Sequence, residues 1–182
     1  AAWLDKFLAC DPGAHHAGLA LYEDGFLVAA TLARPARLKK APTPPEASAA
    51  VARAAFEWAL GRGVSEIALE WPRVYATSIR RGLSKEDPND LLPLAGTDAA
   101  LAALFGGLPC AAYAPSDWKG QMPHQVLEAR VRARLRPVEL HVLDEAASAA
   151  GALGHNVVDA VGVGLHHTGR FRRRRAGTGD GK

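Results

Sequence analysis

The sequence predicts a single α/β domain in which helices flank a mixed five-stranded sheet. Three short apolar segments open the chain, each bounded by turn residues, and helical and strand patterns then alternate to the end. The chain has 182 residues, of which 48% are hydrophobic and 23% charged. This length and composition suit one folded domain and leave no room for two of ordinary size.

The predicted elements follow from turn residues and periodicity. Strands are predicted at residues 4–10, 17–22, 26–32, 64–70 and 109–113, with turns at Pro12-Gly13 and Glu23-Asp24-Gly25 between the first three. Helices are predicted at residues 46–61, 90–105, 125–135, 143–150 and 155–169, where apolar residues recur at helical spacing. The proline-rich segment 34–45, the irregular segment 71–89 and residues 115–122 are predicted loops.

The positive charge is concentrated near the end of the chain. Six of the 22 basic residues and one of the 19 acidic residues fall in residues 170–182, so this segment carries +5 and residues 1–169 carry −2. We therefore expect a folded domain over residues 1–169 and a basic, disordered tail over residues 170–182. Such a tail favours a polyanionic partner, because each phosphate contact releases counterions. A solubilising end is the alternative.

The sequence lacks the features of secreted and membrane proteins. No apolar run approaches the length of a membrane span, and the first residues have neither the basic start nor the apolar stretch of a signal peptide. Cys10 and Cys110 do not make a disulfide framework, and each is expected to be a small buried thiol. These observations predict a cytoplasmic protein with no membrane partner.

Three acidic residues interrupt apolar sequence. Asp11 and Glu70 each end a predicted strand, and Asp159 lies inside the apolar last helix. Buried carboxylates are costly unless they are paired, hydrogen-bonded or bound to metal. Each also has a simpler explanation: Asp11 belongs to a turn, Glu70 forms a cap or a salt bridge, and Asp159 bonds to nearby backbone.

Together, the three acids indicate a metal site. If the strands ending in Asp11 and Glu70 are neighbours, both carboxylates share one edge of the sheet. His155 and Asn156 precede Asp159 by four and three residues, so they share its helical face. Clustered oxygen ligands suit Mg²⁺ or Mn²⁺, and two such ions about 4 Å apart activate water and stabilise the leaving oxygen of a phosphodiester. The pattern predicts metal-dependent phosphodiester hydrolysis.

Five segments in order resemble the RuvC-type Holliday-junction resolvases of the RNase H-like superfamily, and among them short bacteriophage proteins most of all. The segment ACDPGAHHAGLA at 9–20 resembles their first strand and hairpin, and Glu70 is placed as their second acid is. The other three segments are NDLLPLA at 89–95, YAPSDWKG at 113–120 and HNVVDAVG at 155–162. The resemblance runs over residues 7–169 and implies an RNase H-like fold.

The resemblance also implies an activity and a set of catalytic residues. Members are Mg²⁺-dependent homodimeric endonucleases that nick four-way DNA junctions symmetrically, and a phage-encoded member would act in the host-cell cytoplasm. Their three carboxylates correspond to Asp11, Glu70 and Asp159. Asn156 stands where many relatives have a further acid, so either His155 or Asn156 is expected to complete the site.

Candidate DNA-binding residues follow from the same resemblance and from the charge pattern. Lys119 matches a family lysine that would contact the scissile phosphate, and His124 stands where relatives often carry lysine. Tyr75 is the candidate for an aromatic at the junction centre, with packing as its alternative. The basic candidates for phosphate contacts are Arg73, Arg80, Arg81, Lys85, Arg172, Arg173 and Arg174, for which solvated surface positions are the alternative.

Two other functions are compatible with the same residues. The first is an RNase H-like nuclease acting on other branched or structured nucleic acid, including RNA. The second is a catalytically silent junction-binding protein, which Asn156 favours and the three retained carboxylates oppose.

Overall fold

The computed structural model describes residues 5–35, 42–73 and 88–171. Its five strands are β1 (Lys6–Pro12), β2 (Ala17–Glu23), β3 (Phe26–Ala33), β4 (Glu66–Glu70) and β5 (Cys110–Tyr113). The helices are α1 (Pro44–Ala59), α2 (Leu92–Leu104), α3 (Pro115–Trp118), α4 (His124–Arg132), α5 (Pro137–Ala150) and α6 (Gly154–His167), with 3₁₀ turns at Pro88–Leu91 and Gly151–Leu153.

The five strands form one mixed sheet in the order β3-β2-β1-β4-β5. The first three strands are antiparallel neighbours, whereas β4 pairs with β1 in parallel and β5 pairs with β4 in parallel. The parallel pairings need the crossover connections that α1 and α2 provide. The predicted mixed five-stranded α/β architecture is therefore confirmed.

Two apolar layers cover the sheet because successive side chains of each strand point to opposite faces. On one face, Leu8 and Cys10 of β1 pack with α1 and α2 in a cluster that contains Val51 and Leu101. On the other face, residues such as Phe7 pack with α4, α5 and α6. The central strand β1 is thus buried on both sides, which gives the domain three layers.

Three local expectations differ from the structure. Residues 115–118 form one helical turn rather than a loop, because Asp117 accepts a hydrogen bond from the Ala114 backbone N–H at 2.9 Å and so closes its N-terminus. Helix α5 begins at Pro137, a favourable first position, six residues before the expected start. Cys10 is buried as expected, but Cys110 is exposed because β5 is an edge strand.

The packed body extends through the first residues of the basic segment. Phe171 is buried, and both oxygens of Glu139 accept hydrogen bonds from Arg170, at 2.7 and 2.8 Å. Glu139 also accepts backbone N–H bonds from Leu27 and Arg136. In the described ranges, no helix combines the length and apolar character that crossing a membrane requires.

Candidate active site

Two acids lie side by side where parallel strands end. Cys10 of β1 is in register with Leu69 of β4, so Asp11 and Glu70 occupy the next position on the two strands. Both carboxylates are buried, at 8% and 9% exposure. They lie on the face of the sheet that α6 covers, since the residues one step before them belong to the opposite cluster. The shared edge predicted for these two acids is confirmed.

Close packing of α6 on the sheet brings in the third acid. Gly18 is the register partner of Asp11 on β2, and a Cβ at this glycine would overlap the backbone carbonyl of Asn156. Only a residue without a side chain permits this approach. The close packing of Gly18 on Asn156 places the first turn of α6 directly against the edge that carries Asp11. Asp159 follows about one turn later in the same helix.

Lys119 joins two of the carboxylates. Its Nζ lies 2.9 Å from Glu70 Oε2 and 2.8 Å from Asp159 Oδ2. The neighbouring Trp118 donates its indole N–H to the same Glu70 oxygen at 2.9 Å. Trp118 is buried against Gly162 of α6, where any Cβ would overlap its ring. Trp118 at the end of α3 therefore presents a neutral donor to the acids, and Lys119, the next residue, presents a cation. Sequence analysis missed this role of Trp118.

One cation, Lys119, accompanies three clustered acids at this site. Burial, reinforced by the charges of Glu70 and Asp159, holds the pKa of Asp11 well above its usual range. Burial also raises the pKa of Glu70, against the opposing effect of Lys119. The Oδ1 atom of Asp159 is buried and has no hydrogen-bond partner. Such a site attracts further cations or protons.

The oxygen donors suit a hard divalent cation, and the unpaired Asp159 Oδ1 is available as a ligand. Asp11, Glu70 and Asp159 would hold such an ion. Within the described part of the chain, however, no group of three His, Cys, Asp or Glu side chains is arranged to hold a metal ion. The ammonium group of Lys119 lies between two of the acids instead.

The two candidates for a further ligand lie at the start of α6. His155 is exposed; its ring centroid is 5.7 Å from that of His124, and its Nδ1 lies 3.3 Å from the Ala152 carbonyl oxygen. Asn156 is half-buried, donates to the Leu153 carbonyl oxygen at 3.2 Å and shares a hydrogen bond with His16. The hydrogen bonds of His155 and Asn156 go to groups other than the three acids, so both remain predictions as ligands.

A fourth acid that sequence analysis missed lies close to the site. Asp98 of α2 is fully buried, and neither of its carboxylate oxygens has a hydrogen-bond partner. Burial, with a smaller effect from the Glu70 charge, raises its pKa to about 9. The preceding Thr97 donates to the carbonyl oxygen of Gly13, in the turn after Asp11. A lone acid in the apolar segment 91–105 was the signal that could have identified it.

The predicted DNA-binding residues are described only in part. Arg73 and His124 are exposed beside the site, just after β4 and at the start of α4. Among the predicted DNA-binding residues that the structure describes, Lys119 alone forms ion pairs with the acids, namely Glu70 and Asp159. The others lie outside the described residues: Tyr75, Arg80, Arg81, Lys85, Arg172, Arg173 and Arg174.

The fold is similar to that of two solved RuvC structures from Thermus thermophilus. One is described as RuvC in complex with a Holliday junction substrate; it is 18% identical, has a TM-score of 0.57, and the alignment covers 90% of this chain and 92% of that one. The second RuvC structure is 19% identical, with a TM-score of 0.51 and coverage of 89% and 92%. No protein-family model and no curated protein sequence matches this chain.

Proposed function

We propose that this chain, which has the RNase H-like fold of the RuvC proteins, is a DNA endonuclease that resolves four-way junctions. The observation that carries the proposal is the convergence of Glu70, Asp159 and Lys119 beside Asp11 at one edge of the sheet. A similar fold is known with a Holliday junction substrate, in the RuvC complex from Thermus thermophilus.

The carboxylates would hold the metal, and neighbouring residues would position them. Asp11, Glu70 and Asp159, with His155 or Asn156, are the proposed ligands of two Mg²⁺ ions, for which Mn²⁺ would substitute. Such ions supply Lewis acidity toward the attacking water and the leaving oxygen of a phosphodiester. Trp118 fixes the orientation of Glu70 through its indole hydrogen bond.

The substrate side of the site is basic. Lys119 would contact the scissile phosphate, and Arg73 and His124 would contact neighbouring phosphates, which fixes the register of the DNA without reading its sequence. Hydrolysis in this way would leave a 5′-phosphate and a 3′-hydroxyl. We further propose a homodimer, because two-fold symmetry would place two sites on strands of like polarity in a four-way junction.

Cleavage of a labelled four-way junction tests the proposal. The full chain is incubated with the junction, a linear duplex of matching sequence, a flap or a structured RNA, in Mg²⁺, Mn²⁺ or EDTA. Paired nicks confined to the junction and absent in EDTA are expected. Cleavage of flaps or structured RNA in preference to the junction would support the other nuclease function instead.

Three variants test the ligand assignment. Asp11→Asn, Glu70→Gln and Asp159→Asn should each abolish cleavage and leave junction binding largely intact, because each removes a ligand charge with little change of shape. Glu145→Gln, at an exposed acid on α5, is the matched control and should cleave normally. Near-normal cleavage by any of the three would remove that residue from the ligand set.

Asn156 favours the catalytically silent alternative. Asn156 lies about one helical turn before Asp159. Its amide side chain would bring no negative charge to the metal site. Tight junction binding by the wild-type chain with no cleavage in either metal would establish that alternative.

A further inference from the structure

Lys119 occupies the position between two acids of the proposed metal site. Its ammonium nitrogen is within 3 Å of an oxygen of Glu70 and an oxygen of Asp159. At such distances the contacts are charge-assisted hydrogen bonds, and the side chain is only 19% exposed. The lysine thus contacts the same carboxylates that the proposed function assigns to a divalent cation.

A single ammonium balances this site incompletely. It carries one positive charge and pairs with Glu70 and Asp159, beside the buried carboxyl group of Asp11, and it leaves Asp159 Oδ1 buried without a partner. A divalent cation carries twice the charge and accepts six or more oxygen ligands. It would therefore compete with Lys119 for Glu70 and Asp159.

The backbone around Lys119 is held in place while its side chain has room to move. Trp118 is fixed by its hydrogen bond to Glu70 and by its packing on Gly162. Lys119 follows the last residue of α3, and its Nζ already lies 4.9 Å from the centre of the Trp118 ring. Rotation about the four-carbon stem can move the ammonium off the acids without any movement of α3.

We propose that Lys119 is a built-in counter-ion of the acidic site, and that a divalent cation displaces it when it binds. The proposal rests on the proposed function and adds how the site is controlled. In the metal-free protein the lysine holds Glu70 and Asp159 together and occupies one oxygen of each. Metal entry then releases the ammonium toward the substrate phosphate, so that the residue positions substrate only in the metal-loaded protein.

The first test measures the chemical accessibility of the Lys119 amine in the full-length protein without DNA. Reductive methylation is followed by mass spectrometry with and without Mn²⁺, and Lys6, paired with Glu23 at the other end of β1, is the internal reference. The labelling rate of Lys119 should rise about fivefold in Mn²⁺, because an amine released from its carboxylates reacts more readily. The labelling rate of Lys6 should not change.

The second test measures Mn²⁺ binding directly by calorimetry. Lys119→Met keeps the length of the side chain and removes its charge, so it should bind Mn²⁺ about tenfold more tightly than the wild type, since no competing cation must be displaced. Lys6→Met is the matched control for loss of a lysine and should bind like the wild type. The wild-type labelling test does not depend on the folding of either variant.

The outcomes separate this inference from the proposed function. Faster Lys119 labelling together with tighter binding by Lys119→Met would support the displacement. Mn²⁺ binding that leaves Lys119 labelling unchanged, or that is weaker in Lys119→Met, would overturn the displacement and leave the metal-dependent function standing. Failure of every variant to bind Mn²⁺ would overturn both.

Discussion

Replacing Asp98 with asparagine should stabilise the protein at neutral pH. Asp98 is fully buried, its oxygens have no hydrogen-bond partner, and burial together with the Glu70 charge raises its pKa to about 9. In the unfolded chain the same group has its ordinary pKa of 3.8. At neutral pH, folding must therefore add a proton to this carboxylate. Asparagine has nearly the same shape and needs no proton.

The sign and size of the effect follow from proton linkage. Because the folded-state pKa is raised, the folded protein binds more protons than the unfolded chain between about pH 4 and pH 9. The free energy of unfolding thus falls as pH rises through this window, by about 1.4 kcal/mol per pH unit. The cost is nearly absent at about pH 4, and it reaches about 4 kcal/mol at pH 7.

Urea denaturation in EDTA at several pH values measures this effect. The stability gap between Asp98→Asn and the wild type should widen by about 3 kcal/mol from pH 5 to pH 7, because only the wild type takes up the proton. Asp5→Asn, at an exposed acid before β1, is the matched control and should show no such widening. A gap that stays constant across this range would refute the reasoning, since it would show that Asp98 folds in its charged form.

Three further predictions concern Glu139, Gly162 and Asn156. Burial opposes the charge of Glu139, but hydrogen bonds from Arg170 and two backbone N–H groups lower its pKa to about 2. Glu139→Gln should therefore cost about 3 kcal/mol in urea denaturation at neutral pH, and this loss should disappear as pH falls from 4.5 through 2; a loss independent of pH would contradict it. Gly162→Ala should lower stability by about 1–3 kcal/mol and reduce cleavage, because its methyl group displaces Trp118; unchanged tryptophan fluorescence would count against this packing. Asn156→Asp should tighten Mn²⁺ binding about tenfold in calorimetry by adding a charged ligand. Unchanged affinity would leave His155 as the candidate.

The fold could be predicted because its determinants are local. Apolar runs bounded by turn residues located the five strands, and helical spacing located most of α1, α2 and α6. The predicted ends of some elements differ from the structure. The start of α5 was missed because its first turn contains Glu139, and a charged residue is expected at the surface. In the structure Glu139 is paired with Arg170 and only 1% exposed.

The sequence by itself determined the sheet and placed Asp11 and Glu70 at its edge, because a buried strand that ends in an acid is visible in the residue pattern. Only the tertiary structure decided how Lys119 and Trp118 contact the acids of the site. Lys119 lies 40 residues from Asp159, and Trp118 lies 48 residues from Glu70. The burial of Asp98 likewise depends on how α2 packs against the sheet. Contacts between distant segments and the dielectric around a carboxylate are properties of the packed chain, and residue types and spacing do not encode them locally.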